Sequence, residues 1–280
     1  MQTFKQFLLD DTRKSRTQVV DVDTFIKWAT KNSLRYLSGK QFLYRGGSGD
    51  AARGLRLGNA AGEGITPRES ANTHNNYTLW IDNHPSFDGW PKRSLSFIGT
   101  DDRDVADGFG GAALLVLSDN AKVGYCGVND LWETELAPIG ITIEELNGMT
   151  QSIIDKRIKT YDELVDTMKQ YDLDDVRAEV SDWHGGEELV ETMHKRGLET
   201  LYDVWEFLVK PDIFAGQSRG ADASKQHANG EVWIQGEVGF IPHGSRLSED
   251  DKKRLMEWAE QFDNFPEEIE HHWGQDAYDY

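Results

Sequence analysis

Three short segments of this 280-residue chain hold side chains suited to chemistry on a polar, anionic ligand: LYRGG at 43–47, RSLSFIGTDDRDVADGFGG at 93–111 and GEVWIQGEVGFIP at 230–242. Arg45 offers a planar fork of donors that binds oxyanions two bonds at a time, a geometry lysine cannot copy. The hydroxyls of Ser94, Ser96 and Thr100 can hydrogen-bond a neighbour and fix its rotamer. Glu231 and Glu237 each open an apolar run, where a carboxylate can stabilise positive charge developing in a transition state. Each residue also has a plainer role. Arg45 can cap a strand and pair with one of the many carboxylates, and Ser96 can be an ordinary strand hydroxyl.

Taken in order, an aromatic-Arg-Gly strand end, a hydroxyl-rich strand running into an Ala-x-x-Phe helix start (Ala106, Phe109) and a strand opening with Glu resemble the arginine–serine–glutamate class of ADP-ribosyltransferases. The resemblance implies that NAD is the substrate and that Arg45 anchors its pyrophosphate or adenosine ribose. Ser96 would align the reacting groups, with Gly46, Ser94, Phe97 and Thr100 beside the dinucleotide. Glu231 would hold the ribose 2′-hydroxyl and stabilise the oxocarbenium-like transition state as nicotinamide leaves. A second register is open: Glu237 with Gln235 two residues before it restores the family's Gln-x-Glu spacing, whereas Glu231 has Asn229 there. Period-two alternation sends Glu231 and Trp233 to one face and Val232 and Ile234 to the other, which does not separate the two registers. Glu231 is preferred because the polar loop 215–230 leads into it.

The same resemblance implies an α+β fold, with a strongly bent pair of antiparallel sheets forming an NAD cleft and a helical insertion. It implies mono-ADP-ribosyl transfer to a protein or nucleic-acid acceptor, with NAD glycohydrolysis as an alternative when water replaces the acceptor. The segments LYRGG, TPRES, RSLSF and DLW, with the opening MQTFKQFLLD, are also similar to uncharacterised proteins of tailed bacteriophages. That similarity implies the cytoplasm of an infected bacterium, or a virion. Two features depart from the transferase pattern: Ser-Leu-Ser stands where the family has Ser-Thr-Ser, and some 135 residues separate Ser96 from Glu231.

A net charge of −19 argues against a general nucleic-acid binder, which needs a basic surface to displace counterions. The charge is uneven: residues 1–140 hold 16 basic against 17 acidic side chains, 141–212 hold 8 against 18, 213–248 hold 3 against 3, and 249–280 hold 3 against 11. The acidic block favours basic partners such as a host protein or ribosomal surface. It also supports a non-enzymatic reading, an acidic virion or interaction protein acting as a DNA mimic. Cys126 is the only cysteine, which excludes an internal disulfide and Cys-rich zinc chemistry. No metal site is expected, since the histidines, including His227, His271 and His272, lack ligand spacing. No run approaches the roughly 18 to 20 apolar residues that span a bilayer, and the opening residues lack a secretory signal, so no membrane partner is expected.

These residues need elements to hold them. Phe4, Phe7, Leu8, Phe25, Ile26 and Ala29 recur at helical spacing and predict helix within 1–40. Strands are expected at 41–45, 94–98, 112–117, 231–234 and 237–241, with long loops at the Gly- and Pro-rich stretches between them. GGSGDAARG lacks the spacing of a phosphate-binding loop. Arg68 and His74 could reach the adenosine side of a cleft, and Trp80, Trp90, Phe97 and Phe109 read as core or cleft wall. Thr160 with Glu163 predicts a capping box, and Ser248 a cap for the last helix. The expected division is 1–140 (N-terminal helices and first half of the core), 141–212 (acidic helical insertion), 213–248 (second half of the core) and 249–280 (acidic helix, then a partly ordered tail in which Pro266 interrupts the helical pattern).

Overall fold

The computed structural model describes residues 16–47, 54–62, 65–69, 74–137, 139–181, 186–225 and 230–274. Phe4, Phe7, Leu8, His227 and Asn229 lie outside them. The strands are β1 Thr17–Val19, β2 Leu43–Gly46, β3 Arg56–Asn59, β4 Phe97–Thr100, β5 Ala112–Leu117, β6 Lys122–Tyr125, β7 Glu135–Leu136, β8 Ile141–Thr142, β9 Gly216–Arg219, β10 Glu231–Gln235 and β11 Glu237–Ile241. Two compact units divide the chain. One is built from Met1–Arg68, Trp90–Asn129 and Ala215–Tyr280, the other from Glu69–Gly89 and Asp130–Phe214.

The first unit carries a nine-stranded sheet in the order β1-β3-β11-β5-β2-β4-β10-β6-β9. Every pairing in it is antiparallel. With its helices this makes the chain α+β. The ladder is continuous rather than two separate sheets, but its joint between β2 and β4 is thin: only Tyr44 and Thr100 pair there, against four pairs for β2 with β5 and four for β4 with β10. β5 reads AALLVL and is buried along its whole length, as a central strand covered on both faces should be.

Helix Val22–Asn32 is capped by Asp21, whose carboxylate accepts from Thr24 N at 2.8 Å, and it buries Val22, Phe25 and Ala29. It lies so close to β11 that a Cβ at Gly239 would stand 2.8 Å from both Phe25 and Trp28. Ser248 caps Glu249–Ala259 by accepting from Asp251 N, and that helix packs Trp258 edge-on against Phe25, Phe262 and Phe265. The end of the chain differs from expectation. Pro266 sits in the first turn of a helix, Phe265–Gly274, where a missing N–H costs nothing, and that helix buries Phe265, Ile269 and His272. The strand expected at 94–98 also moves: Arg93–Leu95 is a single 3₁₀ turn, so the ladder begins only at Phe97.

The second unit is helical, with Asn76–Asn83, Ile143–Ile153, Tyr161–Met168, Leu173–Val180, Gly186–Lys195 and Leu201–Leu208. Its N-termini are strongly specified. Thr142 with Glu145, Asp172 with Asp175 and Thr200 with Asp203 form reciprocal capping boxes, and Thr160 accepts from Glu163 N. Trp80 and Trp205 are fully buried and satisfied, donating to Val209 O at 3.1 Å and to Thr150 Oγ1 at 2.8 Å. Residues 69–89, expected among the loops of the first unit, belong to this one. Pro67, Pro85 and Pro91 flagged loops there and masked the helix Asn76–Asn83.

His272 is fully buried beside Tyr44 and His243, with ring centroids at 5.9 and 5.8 Å. Burial, reinforced by the charges of Arg103 and His243, holds its pKa down to about 3 from 6.5. The unfolded chain therefore takes up the proton first. The contribution of neutral His272 is complete above pH 6.5 and shrinks as pH falls toward 3, by up to about 1.4 kcal/mol per pH unit. Urea titrations at pH 6.5 and 4.5 should show the wild type losing about 2 to 3 kcal/mol relative to His272→Phe across that interval.

Candidate functional site

The three segments expected to carry chemistry become neighbours in space. β2, β4 and β10 are consecutive in the sheet, and Thr100 pairs across to both Tyr44 and Glu231. Residues that pair directly across an antiparallel ladder point to the same face. Tyr44, Thr100 and Glu231 therefore share one face, and alternation puts Arg45 on the other.

Arg45 is engaged on that second face. Its Nη1 donates to Ile98 O at 2.8 Å, and its guanidinium lies 5.7 Å from the centre of the Phe97 ring. The bond to Ile98 bridges β2 and β4 where their ladder is thinnest. Phe97 is 2% exposed and packs edge-on against Phe240 at 5.2 Å, so it is core. Gly46 makes room for the helix Arg103–Asp107: a Cβ there would meet Ala106 O at 2.2 Å.

Glu231 is on the expected strand but completely buried. Its Oε1 accepts from Arg93 Nε at 3.2 Å, from Arg93 Nη2 at 3.1 Å and from Trp233 Nε1 at 2.6 Å. Arg93 is itself 1% exposed and lies 5.9 Å from the Trp233 ring centre. A carboxylate held this way organises the sheet and presents no face to a ribose. The expected alignment of Arg45 and Glu231 around one ligand thus conflicts with strand alternation and with this ion pair.

The remaining expected residues are also placed in structure-building roles. Ser96 precedes β4 and is buried, and its Oγ donates to Lys92 O at 2.7 Å while its carbonyl accepts from Arg68. It stands four residues from Thr100, roughly 13 Å along the chain from the Glu231 pairing. Ser94 lies in the 3₁₀ turn, and its carbonyl accepts from Arg68 N and Arg16 Nη2. Thr100 Oγ1 accepts from Asp102 N at 3.1 Å and shapes the turn leaving β4. Gln235 Oε1 accepts from Lys92 N at 3.0 Å. Glu237 is exposed, accepts from Trp28 Nε1 at 3.4 Å and opens β11 at the Leu117 end of β5, whereas Arg45 pairs with Ala113 at the other end. Glu237 is therefore not beside the Arg and hydroxyl strands.

A cavity of about 720 Å³ opens where β2 begins, β4 ends and β10 begins. Its wall includes Phe42 and Tyr44 from the first, Asp101 and Arg103 beyond the second and Gly230 before the third, with Glu268 and His271 from the helix Phe265–Gly274. Gly230, at φ 135°, lies so close to Val128 that a Cβ would stand 2.0 Å from its carbonyl oxygen, and its N–H donates to Asp101 Oδ1 at 3.3 Å. Asp102 caps the helix Arg103–Asp107 by accepting from Asp104 N and Val105 N. Arg103 is 7% exposed, with Nη1 donating to His271 O at 3.3 Å and Nε 3.6 Å from Asp107. Burial raises the Glu268 carboxyl above its usual range, an effect the nearby His271 tempers. Sequence reading named His271 only among histidines without ligand spacing and passed over Asp101, Arg103 and Glu268, although DDRD, just beyond an expected strand, marks a turn crowded with charge. Among the described residues no group of three or more His, Cys, Asp or Glu side chains is arranged to hold a metal, and no helix is long and apolar enough to cross a membrane.

Removing one partner of a buried ion pair leaves the other uncompensated, at a cost of about 3 to 5 kcal/mol. Glu231→Ala is expected to lower unfolding stability by that amount in denaturant titrations. The paired replacement Arg93→Met with Glu231→Leu should lose markedly less than the sum of its two single replacements, and that difference is the coupling.

No protein-family model, no curated protein and no solved structure matches this chain, so the chemistry is assigned from the geometry above.

Proposed function

We propose that the protein is an NAD-dependent ADP-ribosyltransferase that modifies a macromolecular acceptor. The observation that carries this reading is the adjacency of β2, β4 and β10: segments far apart in sequence, each resembling a part of the transferase motif, are neighbours in the sheet, and each has one of its ends at the same cavity. Its volume lies within the roughly 300 to 1,000 Å³ of small-molecule sites. Its wall sets Lys40 and Arg103 among the carboxylates Asp101, Asp102, Asp104 and Glu268, and Phe42 and Tyr44 supply aromatic surface.

Charge is divided between the units in a way that suits a basic acceptor. Glu69–Gly89 with Asp130–Phe214 holds 24 acidic against 8 basic residues, while the sheet-bearing unit holds 25 against 22. A helical unit of net −16 draws cationic protein surfaces toward it and repels nucleic-acid backbones. The similarity of several segments to phage proteins supports an infected bacterial cell or a virion as the setting. The same charge division supports a second reading, a binding protein that occupies basic surfaces without consuming NAD.

The two readings part in one assay. Incubated with NAD labelled in its adenylate moiety and a bacterial lysate, the protein should release nicotinamide and transfer label to a protease-sensitive product. Label lost on RNase treatment would make the acceptor RNA, and nicotinamide release without label transfer would make the protein a glycohydrolase. Absence of both release and NAD binding would leave the binding-protein reading.

A further inference from the structure

We propose that the helical unit carries a second, independent site: Ser86 as a nucleophile toward activated acyl esters, His84 as its general base, and Glu206 as the group that orients the histidine. All three lie in the unit formed by Glu69–Gly89 and Asp130–Phe214, and none of them takes part in the NAD reading.

The local sequence builds the pair. The helix Asn76–Asn83 ends at His84, and Pro85, with its φ already fixed, opens the 3₁₀ turn Pro85–Phe87. The turn brings Ser86 back toward the ring, and Ser86 N donates to His84 Nδ1 at 3.2 Å. A backbone N–H can only donate. Nδ1 is therefore the unprotonated nitrogen, and the ring proton sits on Nε2, which donates to Glu206 Oε2 at 2.7 Å. The Ser86 hydroxyl, 2.7 Å from Nδ1, donates to that nitrogen as well. Proton polarity thus runs from hydroxyl to imidazole to carboxylate, the order that a serine nucleophile, its base and its orienting acid require. Capping of the turn uses only the Ser86 N–H. It accounts for neither the carboxylate behind Nε2 nor the hydroxyl in front of Nδ1.

The surroundings fix the base and leave the nucleophile open. His84 is 6% exposed, Trp80 stacks on its ring at 4.5 Å and 10°, and Tyr161 meets it edge-on. Tyr202 donates to the same Glu206 oxygen at 2.9 Å. Burial, together with that bond, pushes the Tyr202 phenol up to about 12, so it remains a donor at neutral pH. Ser86 itself is exposed.

The amides beside the nucleophile narrow the substrate. Ser86 N serves His84, Phe87 N donates to His84 O at 2.9 Å and Asp88 N to Pro85 O at 3.1 Å, so these three are not offered to an oxyanion. Acyl donors with a good leaving group, such as aryl esters, need the least help at that stage. In the step, Ser86 Oγ bonds to the ester carbonyl carbon while its proton passes to His84 Nδ1. The bond from that carbon to the leaving oxygen then breaks, the electron pair goes with the oxygen, and Nδ1 returns the proton to it. Water next bonds to the acyl carbon and gives a proton to Nδ1, and Ser86 Oγ leaves and recovers that proton. Solvent water is the only co-reactant, and the products are a carboxylic acid and an alcohol or phenol.

The test uses the full-length protein with a fluorophosphonate probe and with p-nitrophenyl acetate, the labelled residue being read by mass spectrometry. The wild type should take up the probe at Ser86 and release p-nitrophenol faster than Ser86→Ala, a change at an exposed position that leaves the stack of Trp80 on His84 in place. Glu206→Gln keeps an acceptor opposite Nε2 but removes its charge. It should slow labelling by roughly 10²-fold or more while uptake at saturation stays that of the wild type, with Glu206→Asp restoring part of the rate. A merely structural role for Glu206 would instead lower the melting temperature and the fraction labelled at saturation. A folded wild type whose Ser86 takes up no probe, hydrolysis unchanged by Ser86→Ala, or Glu206→Gln labelling at the wild-type rate each overturns the proposal. None of these outcomes bears on NAD turnover, so the transferase reading stands or falls separately.

Discussion

The row of β10 formed by Glu231, Trp233 and Gln235 holds the segment that leads into β4. Gln235 accepts the Lys92 N–H, Trp233 lies beside the Arg93 guanidinium, and Glu231 takes two of its nitrogens. Three alternate residues of one strand thus clamp two consecutive residues of another segment. A salt bridge this deep is weak evidence for stability, because desolvating both charges offsets much of their attraction. Its effect is on register. Sliding β4 by one residue against β10 would leave an arginine and a glutamate buried and unmatched, and would turn Phe97 out of the core. The pairing of Thr100 with Glu231, and hence the place where Asp101 emerges, follows from that constraint.

How much of this was legible depended on whether a signal was local. β5 and β11 have the expected bounds because runs such as AALLVL and EVGFI carry their β-character within themselves. Ser248 announces its helix because a cap acts over three residues. β3, β6 and β9 escaped: each is four residues long and contains a glycine, and each is a strand only because a neighbour supplies its partners. The 3₁₀ turn at Arg93–Leu95 belongs to the same class, since RSLSF alternates like a strand and is held out of the ladder by long-range bonds to Arg68 and Gln235.

The site was harder to read for a related reason. Alternation was visible along β10, but its consequence needed the partners. Only the pairing of Tyr44 with Thr100 and of Thr100 with Glu231 shows that Arg45 and Glu231 face apart. Arg93 was in view as part of RSLSF, yet nothing within 138 residues of sequence separation marks it as the mate of Glu231. Burial of both charges is a tertiary fact.

Within a ladder, backbone groups are satisfied by neighbours, and side chains are committed to core or cover. At the strand ends that commitment lapses. The chain leaving β4 turns at Thr100, whose hydroxyl accepts from Asp102 N, and Asp102 then caps the next helix. Two carboxylates flanking that turn and a guanidinium in the following helical turn reach the cavity wall without breaking any sheet pairing. Chemistry placed there tolerates change in the side chain while the register beneath it is kept by buried residues. Charge is segregated in the same sense: the sheet unit holds 25 acidic and 22 basic residues, so the strong negative field belongs to the helical unit of net −16 and not to the unit that contains the cavity.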